Sequence, residues 1–500
     1  MKRANLVLIV LALCMAAPAW AKDPPITRVP SDELILPPPA LTADLIQPPK
    51  PGVMVPTLAP VKAMVPTLTA DLTKPLTMDQ ALCVAFERNP ALRIAVDQAR
   101  RAVSVVNEAL ANFNPKFNAS VTYLMQPPAT ATFPASPGQP AQSITIQNAN
   151  TTTAALNSTL PLDISKRLNY ATDIARYQFD IQYLGLVAQA ETLIQNTKSA
   201  YYEMLRAKGQ EDVAQAAVDV AKVQLDNSKA RFEAGAAPKF DVTTAQVNLA
   251  NLDQQLIQAQ TRTQSARSLF NRVLGIDINT PTQVVSVTPT IDVKTVDIDA
   301  GIAQAEARRP EVRAGRAAIA LNQTNVKLQK TGLKPSLNIN LNNVYNVSTT
   351  VFNSNNFNWQ ATAVLSIPIW DGGITSARVQ EAGTDVKNAA DTLDLTKLQV
   401  GVDVRTAALN VEEAAKRAQT TKEAVDLADE ALRLANVRYE AGIATLVEVT
   451  NAQSQLTQAK FNLVTADYDY AIALALLQRS TSTQPELNQV QLLEIQHMHS

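Results

Sequence analysis

The sequence predicts a mostly helical fold with a small β part, built twice by tandem duplication, and three observations carry that prediction. First, residues 76–123 match the stretch beginning at 296 at an offset of 220, and residues 160–252 match 367–459 at an offset of 207. Arg88 and Pro90 align with Arg308 and Pro310, Pro115 with Pro335, and Arg231-Phe232-Glu233-Ala234-Gly235 with Arg438-Tyr439-Glu440-Ala441-Gly442. Second, two proline-free stretches, 171–233 and 375–440, keep small or aliphatic residues at helical steps, as in Leu186, Ala190, Leu193, Thr197, Ala200, Met204 and Ala207. Third, four short segments alternate with period two. Self-similarity at this length means two similar halves packed side by side, each reading helix, strand, strand, long helix, sharp turn, helix.

The chain begins with a predicted secretory signal, residues 1–21. Lys2 and Arg3 precede an apolar run from Leu6 to Leu13, and Ala19-Trp20-Ala21 offers a small-residue cleavage site. Leu13 just before Cys14 suits lipoprotein processing poorly, so no lipid anchor is expected. Cys83 then remains alone, without an intramolecular disulfide partner, and is read as a small core residue on a helix face. Residues 22–75 form a proline-rich leader with internal echoes, Met54 to Leu68 among them, that should run extended as an arm or spacer. The net charge of −1 offers no basic field for nucleic acid.

The first repeat spans 76–283, a linker 284–295, the second repeat 296–481 and a polar tail 482–500 that holds the two histidines, His497 and His499. In the second repeat, Leu337, Ile339 and Leu341 alternate with Asn338, Asn340 and Asn342, and Trp359, Ala361, Ala363, Leu365, Ile367 and Ile369 with Gln360, Thr362 and Ser366. The first repeat carries Phe117, Ala119, Val121 and Tyr123, then Leu156, Leu160 and Leu162. A half-buried soluble sheet alternates in the same way. An exported chain with an almost uncharged Asn, Thr, Gln and Ser face tips the reading towards bilayer-spanning strands. Four strands cannot close a barrel, and open edges cannot exist in lipid, so several chains must share one. The two offsets differ between the paired strands, which makes the first hairpin connection, about 125–150, the longer of the two, and it is read as a loop.

Each long helix stops at a glycine cap, Gly235 or Gly442, where the chain turns sharply. Asp241 and Glu448 stand six residues on, at the start of the returning helix, where an acid suits the dipole. A capped helical hairpin explains most of these residues; its repetition at both tips points to a docking edge or gate.

In these residues the chain resembles the TolC-like outer-membrane efflux family over roughly 76–481. The resemblance rests on Leu76-Thr77-Met78-Asp79-Gln80-Ala81-Leu82 with Arg88-Asn89-Pro90, its echo ending Arg308-Arg309-Pro310, Ile367-Pro368-Ile369-Trp370-Asp371-Gly372-Gly373 and the two tips. It implies a homotrimer whose four strands per chain contribute to a 12-stranded β-barrel over a long α-helical barrel, set in the outer membrane with a large periplasmic portion. A periplasmic adaptor and an inner-membrane pump would be its partners, and it would act as a passive conduit without cofactor or metal. By position Asp241 and Tyr439 match two residues of the family's gate. The basic member of that lock falls on Ala444, which leaves a weaker latch or one supplied by Arg438. Glu448 matches one of two acidic rings, while the other position is Asn451. Adaptor docking is expected at Gly235, Ala236, Ala237, Gly442, Ile443 and Ala444.

An enzyme is not expected: there is no catalytic histidine, phosphate-binding loop or metal-spaced ligand set, and turn chemistry explains Asp163 and Asp371. The serious rival is a soluble periplasmic coiled-coil scaffold or adaptor.

Overall fold

A computed structural model of the chain describes residues 74–133, 142–292, 297–347 and 356–485. The expected signal, almost all of the leader, and the tail with His497 and His499 lie outside the described residues.

The helix expected at the start of each repeat is in fact two. Helix α1 (Met78–Arg88) opens on a capping box in which Thr77 and Gln80 bond each other's backbone N–H. Pro90 forbids its continuation and pushes Asn89 into an extended conformation. Asn89 then caps α2 (Pro90–Ala111) by accepting from the N–H groups of Ala91 and Leu92. Arg309 and Pro310 break the second repeat at the same place, into α5 (Ile298–Arg308) and α6 (Pro310–Gln329).

Four strands follow the expected segments: β1 (Lys116–Met125), β4 (Asn150–Leu162), β5 (Ser336–Asn346) and β6 (Phe357–Ser366). They form one antiparallel sheet in the order β1-β4-β5-β6, so the β4–β5 pairing joins the repeats. The connection read as a loop between β1 and β4 contains its own hairpin, β2 (Ala129–Phe133) with β3 (Gln142–Gln147). Its Thr- and Ile-bearing runs suit a pleated surface, and the prolines between them interrupt the pattern.

The long helices α3 (Arg167–Glu233) and α7 (Ile374–Glu440) each have 67 residues, roughly 100 Å at 1.5 Å per residue. Each returns along a partner, α4 (Lys239–Leu274) or α8 (Leu446–Ser480). Buried Ala214, Ala217 and Ala221 on α3, and Ala407, Ala414 and Ala418 on α7, let the axes approach closely. The two hairpins meet along a polar seam between α3 and α8. Lys198 donates to Gln478 (2.9 Å), Arg206 pairs with Asp469 (2.6 Å) and Gln210 donates to Thr465 (3.0 Å).

The main apolar core lies where α1, α2, α3 and α4 meet, around Phe86, Val96, Ile194, Tyr201, Phe270 and Leu274. There the chain entering α1 pairs with the inter-repeat linker: Leu76 N–H donates to Gln283 O and Val285 N–H to Leu76 O, both at 2.9 Å. The buried Tyr201 hydroxyl sits within hydrogen-bond distance of the carbonyls of Leu76 (3.2 Å) and Val285 (2.7 Å). Cys83 is only half-buried between buried Leu82 and Val84, a correction to its expected place in the core. Burial pushes its thiol pKa up, and Asp79 adds to the shift.

Candidate functional site

Two regions could carry function, the four-stranded sheet and the helical tips. The register of the sheet sorts its residues into rows. On one face run Leu160-Ile339-Ala363, Phe117-Ser158-Leu341-Ala361, Ala119-Leu156-Asn343-Trp359 and Val121-Ala154-Tyr345-Phe357. Phe117, Val121, Trp359 and Phe357 are all more than half exposed on this face, an apolar surface of the kind that meets lipid or protein. Tyr123, Tyr345, Phe357 and Trp359 gather at the end of this face farther from the long helices, while Ile369 and Trp370 stand almost fully exposed at the junction with α7. Aromatic side chains bordering an aliphatic band are a feature of membrane interfaces. The opposite face carries Lys116-Thr159-Asn340-Thr362, Asn118-Asn157-Asn342-Gln360 and Ser120-Ala155-Val344-Asn358. Within one chain β1 and β6 are unpaired edges.

At the junctions Asp163 accepts from the N–H groups of Leu168 (3.0 Å) and Asn169 (2.9 Å), and Asp371 from those of Gly373 (3.1 Å) and Thr375 (2.8 Å). Both carboxylates are occupied as helix caps.

The tips share a backbone. Gly235 (φ +69°) and Gly442 (φ +75°) hold the left-handed conformation. Ala236 N–H donates to Arg231 O (2.7 Å) and Ile443 N–H to Arg438 O (3.0 Å), the wrap that satisfies the last carbonyls of a helix. Gly235, Ala236, Gly442 and Ile443 are exposed; Ala237 and Ala444 are half-buried. Leu225, Ala245 and Leu446 form a small buried cluster from both hairpins, and Tyr439 packs on it.

The gate residues expected from position separate into two groups. Tyr439 meets the first hairpin: its hydroxyl feels the charge of Asp241 in the first turn of α4, and the Arg231 guanidinium lies 4.8 Å from its ring centroid. Burial pushes the Tyr439 pKa above the ordinary phenol range; Arg231 opposes the shift and Asp241 adds to it. Arg438 and Glu448 instead pair within the second hairpin at 3.7 Å. Glu448 also closes a capping box, its Oε1 accepting from Thr445 N–H (3.3 Å) while Thr445 Oγ1 accepts from Glu448 N–H (3.4 Å). Within this chain Arg438 therefore faces Glu448 and not Asp241. The cation beside Tyr439 is Arg231, legible in the sequence only as the repeat mate of Arg438. Exposed Phe232 and Phe240 also lie at the first tip, apolar additions to the expected docking edge. Among the described residues no group of His, Cys, Asp and Glu is placed to hold a metal, and no helix is long and apolar enough to cross a membrane.

The family profile described as "Outer membrane efflux protein" matches residues 82–275 and 301–483. The chain is 25% identical over 321 residues to "Outer membrane protein TolC" of Vibrio cholerae serotype O1, covering 62% of this chain and 71% of that protein. It is 24% identical over 361 residues to the protein of the same name from Escherichia coli strain K12, covering 70% and 72%. Among solved structures, the Campylobacter jejuni CmeC outer membrane channel superposes with a TM-score of 0.68 at 15% identity, over 89% of this chain and 98% of that one, a likeness of fold.

Proposed function

The chain belongs to the outer membrane efflux protein family, and from that premise we propose that three copies pool their sheets into one barrel above a shared helical tunnel. The protein is the outer-membrane channel of an efflux or secretion system, a conduit from periplasm to exterior. What carries the finer reading is the four-stranded sheet, with an exposed apolar face, a polar face whose one charge is Lys116, and two bare edges. Lipid tolerates the first and forbids the last, so closure requires neighbours. Energy then comes from an inner-membrane pump joined through a periplasmic adaptor. The adaptor meets the tips at Gly235, Ala236, Ala237, Gly442, Ile443 and Ala444, with Phe232 and Phe240 beside them. Tyr439, held by Asp241 and Arg231, ties the two hairpins of each chain together and must let go when the tunnel widens. Glu448 contributes a ring of carboxylates there, each partly neutralised by its own Arg438.

The test is the mass of the detergent-extracted protein, corrected for bound detergent. A three-chain particle is expected. A monomer soluble without detergent would overturn this reading in favour of a periplasmic scaffold.

A further inference from the structure

The polar face of the sheet has an unusual centre. Asn118, Asn157, Asn342 and Gln360 stand in direct register across all four strands, one carboxamide per strand. Rows to either side satisfy part of their polarity internally: in the adjacent row Thr159 Oγ1 donates to Asn340 Oδ1 (3.1 Å), and two rows away on the other side Thr153 Oγ1 donates to Asn346 Oδ1 (3.3 Å). None of the four central carboxamides is so engaged among the described residues, and Asn118, Asn342 and Gln360 are exposed. Charge is scarce: Lys116, at the lower end of the face, is the one ionisable side chain in the polar rows, and its Nζ donates to Asn112 Oδ1 (3.0 Å).

Resting on the reading that three such sheets close one barrel, we propose that this row is a binding collar for amide-bearing cargo, that is, for polypeptide in extended form. A carboxamide is chemically a peptide group; it donates and accepts in one plane and pairs with a passing backbone amide whatever side chain that residue carries. Strands lie about 4.8 Å apart, so each copy presents four such groups side by side, and tilt staggers the three runs around the barrel. Along β5 the carboxamides of Asn338, Asn340 and Asn342 recur about every 6.7 Å, the two-residue repeat of an extended chain. Neutral hydrogen bonds are individually weak, which allows a chain to enter, step between sites and leave. Without fixed charge, the collar recognises backbone and ignores sequence.

The experiment uses the assembled full-length protein in a planar bilayer. An uncharged blocked peptide of alternating Gly and Ser is added, with polyethylene glycol and dextran of matched hydrodynamic size as controls, and the duration of current interruptions is recorded. The peptide should interrupt the current for longer than either control. Asn342→Leu, which keeps volume and removes the amide, should shorten peptide interruptions roughly fivefold and leave those of polyethylene glycol unchanged. Asn342→Ser, gentler on assembly, should shorten them less. Peptide interruptions of equal length in wild type and both variants overturn the collar while the open-pore current upholds the conduit. Longer interruptions by dextran than by peptide overturn it in favour of a saccharide site. A preparation that opens no pore overturns both.

Discussion

In the first repeat, α1 and α2 rest on α3 and α4 through Phe86, Ile194, Tyr201 and Phe270. At the same level of the second repeat the apolar contact shrinks to Ala305, Val312, Leu393, Val400 and Val404, and charge takes over. Arg309 pairs with Asp403 (2.9 Å) and Glu311 (3.3 Å), and Arg479 with Glu311 (2.5 Å). Arg479 Nη1 also lies 3.1 Å from the buried carboxylate of Glu191 on α3, close but not aligned as a hydrogen bond. Ser482 donates to the same carboxylate, and Gln484 to the Glu191 carbonyl (3.1 Å). One backbone plan therefore has two kinds of joint. Apolar contact holds one half by area, whereas a directional network holds the other and pins the C-terminal end of α8 to the first repeat. The first should be indifferent to pH and salt, and the second should not.

The widest test of this contrast removes one element from each joint. Phe270→Ala should cost about 3–5 kcal/mol through the cavity it leaves. Arg479→Met should cost a similar ~3–5 kcal/mol by stranding Glu191 and Glu311. Urea midpoints give both values, and only the Arg479 loss should change with pH.

The pH dependence follows from two shifts of opposite sense. Burial holds the Glu191 carboxyl above the ordinary range, against the hydrogen bond from Ser482 and the charge of Arg479. Burial is the largest influence and works against ionising Glu311, but Arg479, a backbone hydrogen bond and Arg309 together outweigh it and hold that carboxyl below the ordinary range. A depressed carboxyl contributes stability above its unfolded pKa and loses it as pH falls through the folded value; a raised one contributes below the unfolded pKa and loses it as pH rises through the folded value. Glu311→Gln should therefore melt lower than wild type at neutral pH, with the gap closing on acidification. Glu191→Gln should melt at least as high as wild type at neutral pH and lose any advantage in acid.

At the tips the two repeats differ by single residues, so smaller changes sharpen the comparison there. Nothing lies within 4 Å of a Cβ built on Gly442, yet its φ of +75° taxes any other residue by about 1–2 kcal/mol. Gly442→Trp should abolish export while trimers still assemble, and loss of the trimer would reduce the glycine to a cap. Tyr439→Phe, which turns the second tip into the chemistry of the first, should cost about 1 kcal/mol and raise resting conductance. The converse Phe232→Tyr should leave conductance unchanged. The smallest effect expected is that of Glu448→Ala, whose charge is exposed and already paired with Arg438. A modest loss of divalent block is expected in single-channel current, and an unchanged block removes Glu448 from the ring.

Much of this architecture is legible in the residues. The four alternating segments, the two long proline-free helices and both glycine turns lie where period and turn chemistry put them, because each depends on neighbours a few positions away. The hairpin β2–β3 escaped because its strands are short and its prolines read as loop. The split opening helices escaped although Pro90 and Pro310 were visible, since helical periodicity continues across the break. Position in the repeat places Asp241 and Tyr439 at the tips, whereas only the packing shows that Arg438 turns to Glu448.

The sequence by itself determined the local rules of this protein: where helices begin and stop, which side of each strand is apolar, and that four strands cannot be alone in lipid. Only the tertiary structure decided which charges meet. Arg206 and Asp469, 263 residues apart in the chain, form one pair of the seam, and Arg231 instead of Arg438 lies over Tyr439. The repeat makes Arg231 and Arg438 equivalent on paper. Helix packing sets the distances on which electrostatic pairing depends, and at the tips it brings Arg231 of α3, not Arg438, over Tyr439 of α7.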